Sequence, residues 1–314
     1  MTTTAKRWMT LLTVMGACLI GCAPAESASK NLSVYIGTYT RKGSKGVYLS
    51  KLNLASGALS KPTLAAETDN PSFLSIHPSG KFLYASGGAT KIDGKHSGLI
   101  TAFAIDKTSG KLTQLNRQPS GGRGPCYVTV DATGRCALTA NYSSGSVASL
   151  AIGSDGKLRR PTSIVQHVGS SANKQRQKGP HAHSINLDPT NRFALAADLG
   201  ADKLLVYKFD PSTATIKVNT PASISMKPGA GPRHFSFGPT GQFVYAINEL
   251  DSTITTLTFN PKNGTLAKLQ TVSTLPPDCK TANTTAEVQV HPSGKFLYGS
   301  NRGHDSIAIF SIDA

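Results

Sequence analysis

The chain has a single tryptophan, Trp8, and it lies in the first ten residues. Five cysteines are spread over 314 residues, and only Cys126, Cys136 and Cys279 follow residue 22. That is too few for a disulfide scaffold. Acidic residues are scarce, 17 Asp and Glu against 33 Lys and Arg. No Gly-x-Ser-x-Gly elbow occurs, no Cys/His spacing that would hold zinc, and no calcium loop. The expected chemistry therefore uses no covalent serine, no metal and no cofactor. After residue 30 no long stretch carries apolar residues at helical spacing, which excludes helical bundles and helical repeats.

What is present is a repeated hairpin. Its clearest copy is Ala286 to Phe310. An alternating run with Val288 and Val290 enters the turn His291-Pro292-Ser293-Gly294. The apolar run Phe296-Leu297-Tyr298 leaves it, and after a polar stretch a third strand spans Ile307 to Phe310. Proline pre-sets the first turn dihedral and glycine permits positive φ, so the pattern reads as strand, tight turn, strand. Matching turns start at 77, 131, 188, 238 and 291, in steps of 54, 57, 50 and 53 residues. A period near 50 with several short strands in each repeat is the pattern of β-propeller blades. The expected class is all-β, a propeller, rather than a sandwich.

The copies run from Pro71 to about Gln118, Pro125 to about Val168, Pro180 to about Met226, and Pro232 to about Leu275. A last copy begins near Thr285 and holds only three strands. A partial first copy spans Val34 to Leu52 and lacks an innermost strand. The arithmetic leaves the chain short of a blade if the ring has seven. The other possibility is a ring of six, closed by the first strands completing the last blade.

The first residues are a separate matter. Lys6-Arg7 precede an apolar stretch from Trp8 to Ile20, which ends in Leu19-Ile20-Gly21-Cys22. This resembles a bacterial lipoprotein leader, with residues 1–21 removed and Cys22 lipidated; a plain signal peptide cut near Ala28 is the alternative. Residues 22–30 then form a flexible tether and 31–314 the propeller domain. The expected location is exported, periplasmic or cell-envelope, with the membrane met only through the lipid. Without the leader the charge is 31 basic against 17 acidic residues. The basic residues are scattered, so nucleic acid is not an expected partner, and the protein is expected to be a monomer. Cys126 and Cys136 flank one turn, but hairpin register places Cys126 opposite position 140, so no disulfide is expected there.

Aligning the copies on their turns gives three variable columns on one rim. Where the inner strand begins stand Ser72, Cys126, His183, Arg233 and Ala286. Where the second strand ends stand Gly88, Tyr142, Leu199, Glu249 and Arg302. Just before it stand Gly87, Asn141, Asp198, Asn248 and Asn301, which read as turn-closing residues. Antiparallel pairing puts Arg233 and Glu249 opposite or nearly so. Unlike charges gathered on one rim suggest a polar site over the central channel, where blades converge.

Gly179-Pro180-His181-Ala182-His183-Ser184, Gly231-Pro232-Arg233-His234, Ala246-Ile247-Asn248-Glu249 and Asn301-Arg302-Gly303-His304-Asp305-Ser306 resemble the lactonase family of seven-bladed propellers. Tyr35 to Thr40 fits as well, so the likeness runs over about residues 32–313. The family includes propeller-type 6-phosphogluconolactonases and carboxy-cis,cis-muconate cyclases. The resemblance implies a site of His183 (or His181), Arg233, Glu249 and Arg302. His181, His234, Asn301 and His304 are the expected substrate contacts. It implies a small-molecule lactone as substrate, most simply 6-phospho-D-glucono-1,5-lactone, opened by water. Glu249 or His183 would be the base, and Arg233 and Arg302 would hold the carbonyl oxygen or a phosphate. The alternatives are a muconate-type lactonising enzyme and a non-catalytic exported propeller that binds a glycan or protein.

Overall fold

The computed structural model describes residues 31–92 and 94–313. Cys22, the leader and the tether lie outside the described residues. Every described element is a strand or a turn. The strands form six antiparallel sheets, each a meander in sequence order. The first holds Asn31–Ile36, Gly46–Asn53 and Thr63–Glu67. The second holds Phe73–Ile76, Phe82–Ile92, Lys95–Ile105 and Leu112–Pro119. The third holds Pro125–Val130, Cys136–Asn141, Ser146–Ile152 and Leu158–Gln166. The fourth holds Ala182–Leu187, Phe193–Asp198, Lys203–Asp210 and Thr215–Ser225. The fifth holds Pro232–Phe237, Phe243–Asn248, Thr253–Asn260 and Thr265–Ser273, and the sixth Thr284–Val290, Phe296–Arg302 and Ile307–Ser311.

The repeated turn behaves as its residues require. The fourth residue of each, Gly80, Gly134, Asn191, Gly241 and Gly294, takes a positive φ between 58° and 73°. Glycine, and to a lesser degree asparagine, adopt that region at less cost than other residues. Pairing continues directly away from these turns, as in Phe237↔Val244 and Val130↔Ala137.

The sheets are joined face to face. Each of five apolar clusters is shared by two successive sheets, so no sheet has a core of its own. Leu138, Ala140 and Val147 of the third pack on Ile185, Ala194 and Tyr207 of the fourth. Leu195, Leu204 and Val206 of the fourth pack on Phe235, Val244 and Leu257 of the fifth. Alanine is frequent in the buried second strands, at Ala137, Ala140, Ala194, Ala196 and Ala246. Small side chains let the wedges approach where the blades converge.

The first and last sheets remain separate. Asn31–Ile36 pairs with Gly46–Asn53 in its own sheet and does not complete the sheet of Thr284–Ser311. Closure of a six-bladed ring through the first strands is thus not what the chain does. Each of these sheets has three strands, and each contributes to one apolar cluster. Ile307 and Ile309 on the last strand are exposed.

Candidate active site

The inner strand of a blade does not enter its sheet in regular register. In the third, fourth and fifth sheets the pairing slips at its start. Pro125 pairs with Asn141 but Tyr127 with Ala140; Ala182 pairs with Asp198 but Ser184 with Ala197; Pro232 pairs with Asn248 but His234 with Ile247. One residue is extra each time: Cys126, His183 and Arg233. A β-bulge re-aims the side chain of its extra residue. These three line a single cavity of about 870 Å³, with Glu249, Arg302 and His234. Arg233 and Glu249 are therefore not regular cross-strand partners. The bulge supplies the first, and the second stands one residue past the end of Phe243–Asn248.

Glu249 is the hub. Its side chain is only 6 % exposed. Oε2 accepts from Arg233 Nε at 3.0 Å and forms an ion pair with Arg302 Nη2 at 3.1 Å. Oε1 accepts from Arg176 Nη2 at 2.8 Å. Three guanidiniums on one carboxylate leave two positive charges over at the cavity wall. Arg233 and Arg302 are also tied to backbone, Nη1 to Ala286 O at 2.7 Å and Nη2 to Thr285 O at 2.8 Å.

His183 stands next to them, with Nε2 4.0 Å from Glu249 Oε2. Burial, and then the charge of Arg233, hold its pKa well below the usual imidazole value. It is therefore neutral at neutral pH. Its Nδ1 is 3.8 Å from Cys126 Sγ, and burial pushes that thiol up to about 12. His234 is buried beneath Arg233. Burial lowers its pKa as well, against the pull of Glu287. The neutral ring donates from Nδ1 to Glu287 Oε2 at 2.9 Å, so Nε2 is left to accept from Arg233 Nη1 at 3.3 Å. Burial is the largest single influence on the Glu287 carboxyl and would raise it, but His234, the Val288 N–H and the charge of Arg233 together outweigh it, and the group lies below its ordinary value. Phe73 stacks on Tyr127 at 4.0 Å, and the edge of His234 meets both rings, at 5.7 and 5.1 Å. Of these rings, Phe73 and His234 line the cavity.

Residues 33–314 match the family model of the lactonase, 7-bladed beta-propeller. The chain belongs to that family. It is 39 % identical over 279 residues to a 6-phosphogluconolactonase of Bacillus subtilis, covering 89 % of this chain and 77 % of that one. It is 32 % identical over 287 residues to a 6-phosphogluconolactonase of Formosa agariphila, covering 89 % and 79 %. The solved structure of a periplasmic gluconolactonase of Pseudomonas aeruginosa superposes with a TM-score of 0.82 at 31 % identity, over 90 % of this chain and 79 % of that one. Six sheets among the described residues are thus one short of the seven blades of the family.

Within this lactonase propeller the expected residues divide. His183, Arg233, Glu249, Arg302 and His234 line the cavity. Asn301, His304 and His181, expected as substrate contacts, do not stand among its lining residues. Asn301 is buried between Thr274, Asn283 and Ser306, and hydrogen-bonds to all three. It behaves like the rest of its column, closing a turn. His304 Nδ1 bonds to Ser306 Oγ at 2.7 Å in the same turn. His181 stacks on the Tyr142 ring at 4.5 Å, and its Nδ1 donates to Tyr142 O at 2.9 Å. Two residues that bear on the site escaped the sequence. Arg176 lies in a connection without a counterpart in the other copies, and Glu287 follows the aligned position of Ala286 by one.

Proposed function

We propose that this protein hydrolyses a sugar lactone, with 6-phospho-D-glucono-1,5-lactone as the best-fitting substrate. The observation that carries the reading is the Glu249 hub. One carboxylate holds three guanidiniums at the wall of a cavity large enough for a sugar phosphate, with two positive charges in excess. Similarity to two 6-phosphogluconolactonases supports the lactone class.

The lactone carbonyl carbon is attacked by water. Both Glu249 oxygens already accept from guanidinium N–H groups, whereas His183 is neutral and holds a free lone pair at Nε2 or Nδ1. His183 therefore takes the proton from the attacking water. Arg233 and Arg302 donate to the carbonyl oxygen as it becomes an oxyanion. The acyl C–O ring bond breaks, the ring oxygen receives the proton back, and the hydroxy acid leaves. Glu249 keeps the two donors fixed, so little reorganisation is needed as charge develops. Cys126 stays a neutral thiol and takes no part.

An unphosphorylated gluconolactone is the second reading. It is favoured by likeness to a periplasmic gluconolactonase and by the leader pattern Lys6 to Cys22, which would place the enzyme in the cell envelope on a lipid anchor. The test is lactone opening by the purified chain from residue 23 onward, followed by acid release. Faster opening of the phosphorylated lactone supports the first substrate, and of plain gluconolactone the second. Rates equal to buffer for both would remove the sugar-lactonase reading and leave a binding propeller or a muconate-type lactonising enzyme.

A further inference from the structure

The connection between the third and fourth sheets, residues 167–181, is the longest between sheets. The equivalent connections are 68–72, 120–124, 226–231 and 274–283. It is bound to the blades along its length. At its start, His167 Nδ1 donates to Asp198 Oδ2 at 2.6 Å and its Nε2 pairs with Tyr207 O–H at 2.8 Å, all fully buried. In its middle, Gln177 Nε2 donates to Leu199 O at 2.8 Å, and Gln177 Oε1 accepts from Asn173 N at 2.9 Å. At its end, His181 N donates to Asp198 Oδ1 at 2.8 Å. Two glycines make room for it. A Cβ on Gly200 would stand 1.9 Å from Gly179 O, and one on Gly145 would stand 2.4 Å from Pro180 O. This is a fixed strap, and it carries Arg176 into the lining of the cavity.

Arg176 differs from the other two arginines of the hub. They are pinned to backbone carbonyls of the sixth sheet. Both side-chain hydrogen bonds of Arg176 among the described residues come from one nitrogen, Nη2, to Glu249 Oε1 and to Tyr142 O–H at 3.1 Å. Nε and Nη1 have no partner among the described residues, and the side chain is 40 % exposed. The charge of Glu249 is already matched by Arg233, so the hub does not require a third cation. The strap is held by His167, Gln177 and His181, so its course does not depend on Arg176 either.

We propose that Arg176 is a specificity-determining residue: set over the cavity by the strap, its unpaired N–H groups receive the anionic substituent of the substrate, phosphate or carboxylate, and set the preference for charged over uncharged lactones. This rests on the lactonase reading above. Paired N–H donors match both oxyanions, and a guanidinium keeps its charge at any working pH.

The test compares wild type with Arg176→Met and Arg176→Lys on three lactones: 6-phosphogluconolactone, a carboxylate-bearing glucarolactone and uncharged gluconolactone. The methionine variant should lose at least about tenfold in kcat/KM on whichever charged lactone the enzyme prefers, mostly through KM, and the loss there should exceed its loss on gluconolactone at least about fivefold. Lysine should restore part of the loss. The charged lactone with the larger loss identifies phosphate or carboxylate as the group bound. Equal losses on all three would mean that Arg176 only positions Glu249, and would overturn the proposal, as would no loss at all. A second readout needs no turnover. Calorimetric titration with 6-phosphogluconate and with glucarate should show the preferred acid bound about tenfold more weakly by Arg176→Met; unchanged binding of both overturns the proposal. If wild type opens none of the lactones, the enzyme reading fails, and the titration still decides whether Arg176 receives an anion.

Discussion

At the scale of single residues, the site is a balance of burial against charge. Glu249 is the residue whose loss reaches furthest, because three guanidiniums depend on it. Glu249→Gln and Arg233→Ala should each lower kcat/KM at least about tenfold, equivalent to ~1.4 kcal/mol of barrier. Both should keep the wild-type far-ultraviolet dichroism, so the loss can be read as chemistry. Rates close to wild type in both variants would remove the site. The histidines set the pH dependence. On the proposed mechanism His183 is the base, and burial and Arg233 hold its pKa below its ordinary 6.5. The acid limb of kcat/KM should therefore fall below pH 6.5, and His183→Gln should abolish the activity that defines it. The same shift bears on stability. In the unfolded chain His183 and His234 bind protons from about pH 6.5 downward, while the folded chain resists protonation to lower pH. Their contribution is whole above pH 6.5 and is lost as pH falls below it. Thermal melting across pH 7 to 5 should show the decline, and a smaller one in His183→Gln.

At the scale of elements, the bulge is what turns a blade into a site. A regular inner strand would alternate its side chains between the two neighbouring blades. One added residue at the strand start releases a side chain from that alternation, and the released ones are Cys126, His183 and Arg233. Without the bulge, Arg233 would face a blade interface and Glu249 would lose one of its three guanidinium partners. The strap acts on the same rim. Gly200→Val would drive a branched side chain into the backbone at Gly179, 1.9 Å from the built Cβ position. The cost should be about 1–3 kcal/mol of stability. Activity should fall more on the charged lactone than on the plain one, since Arg176 would be displaced. A variant of wild-type melting temperature would show that the strap yields freely there.

At the scale of the molecule, cohesion is sequential. Each blade is held to the next by one apolar cluster and, where the next blade has a fourth strand, by a hydrogen bond across the outer edge. Tyr35 O–H donates to Gly110 O at 2.7 Å, Tyr84 O–H to Gly156 O at 2.9 Å, and Asn219 Nδ2 to Asn263 O at 2.9 Å. In each case a side chain of one sheet caps the outer hairpin of the following one. Tyr84 is fully buried, and burial raises its phenol far above the ordinary value, so it stays a donor. Tyr84→Phe leaves the Gly156 carbonyl without that partner and should cost about 1 kcal/mol, a drop of about 2–4 °C in Tm. The excess of basic residues over acidic ones belongs to this scale too. It should speed capture of an anionic lactone at low salt, and kcat/KM for the phosphorylated substrate should fall as ionic strength rises.

The order of strands and the boundaries of the blades were legible in the sequence because they are local. A tight turn ending in Gly or Asn with an apolar run on each side needs nothing outside its own residues to form a hairpin, and its recurrence from 77 to 291 announces a ring of such hairpins. The column of Cys126, His183 and Arg233 was legible for a related reason: unlike residues at one place in like repeats. Repetition could not reveal what does not repeat. Arg176 sits in a connection unique to one blade, and its approach to Glu249 spans 73 positions. Nor could it separate Asn301, which has the composition of a binding residue, from the turn that buries it. Which of the rim residues converge depends on where the bulges turn them and on how far the neighbouring blades let them reach. Those are properties of packed sheets, decided only when the blades stand side by side.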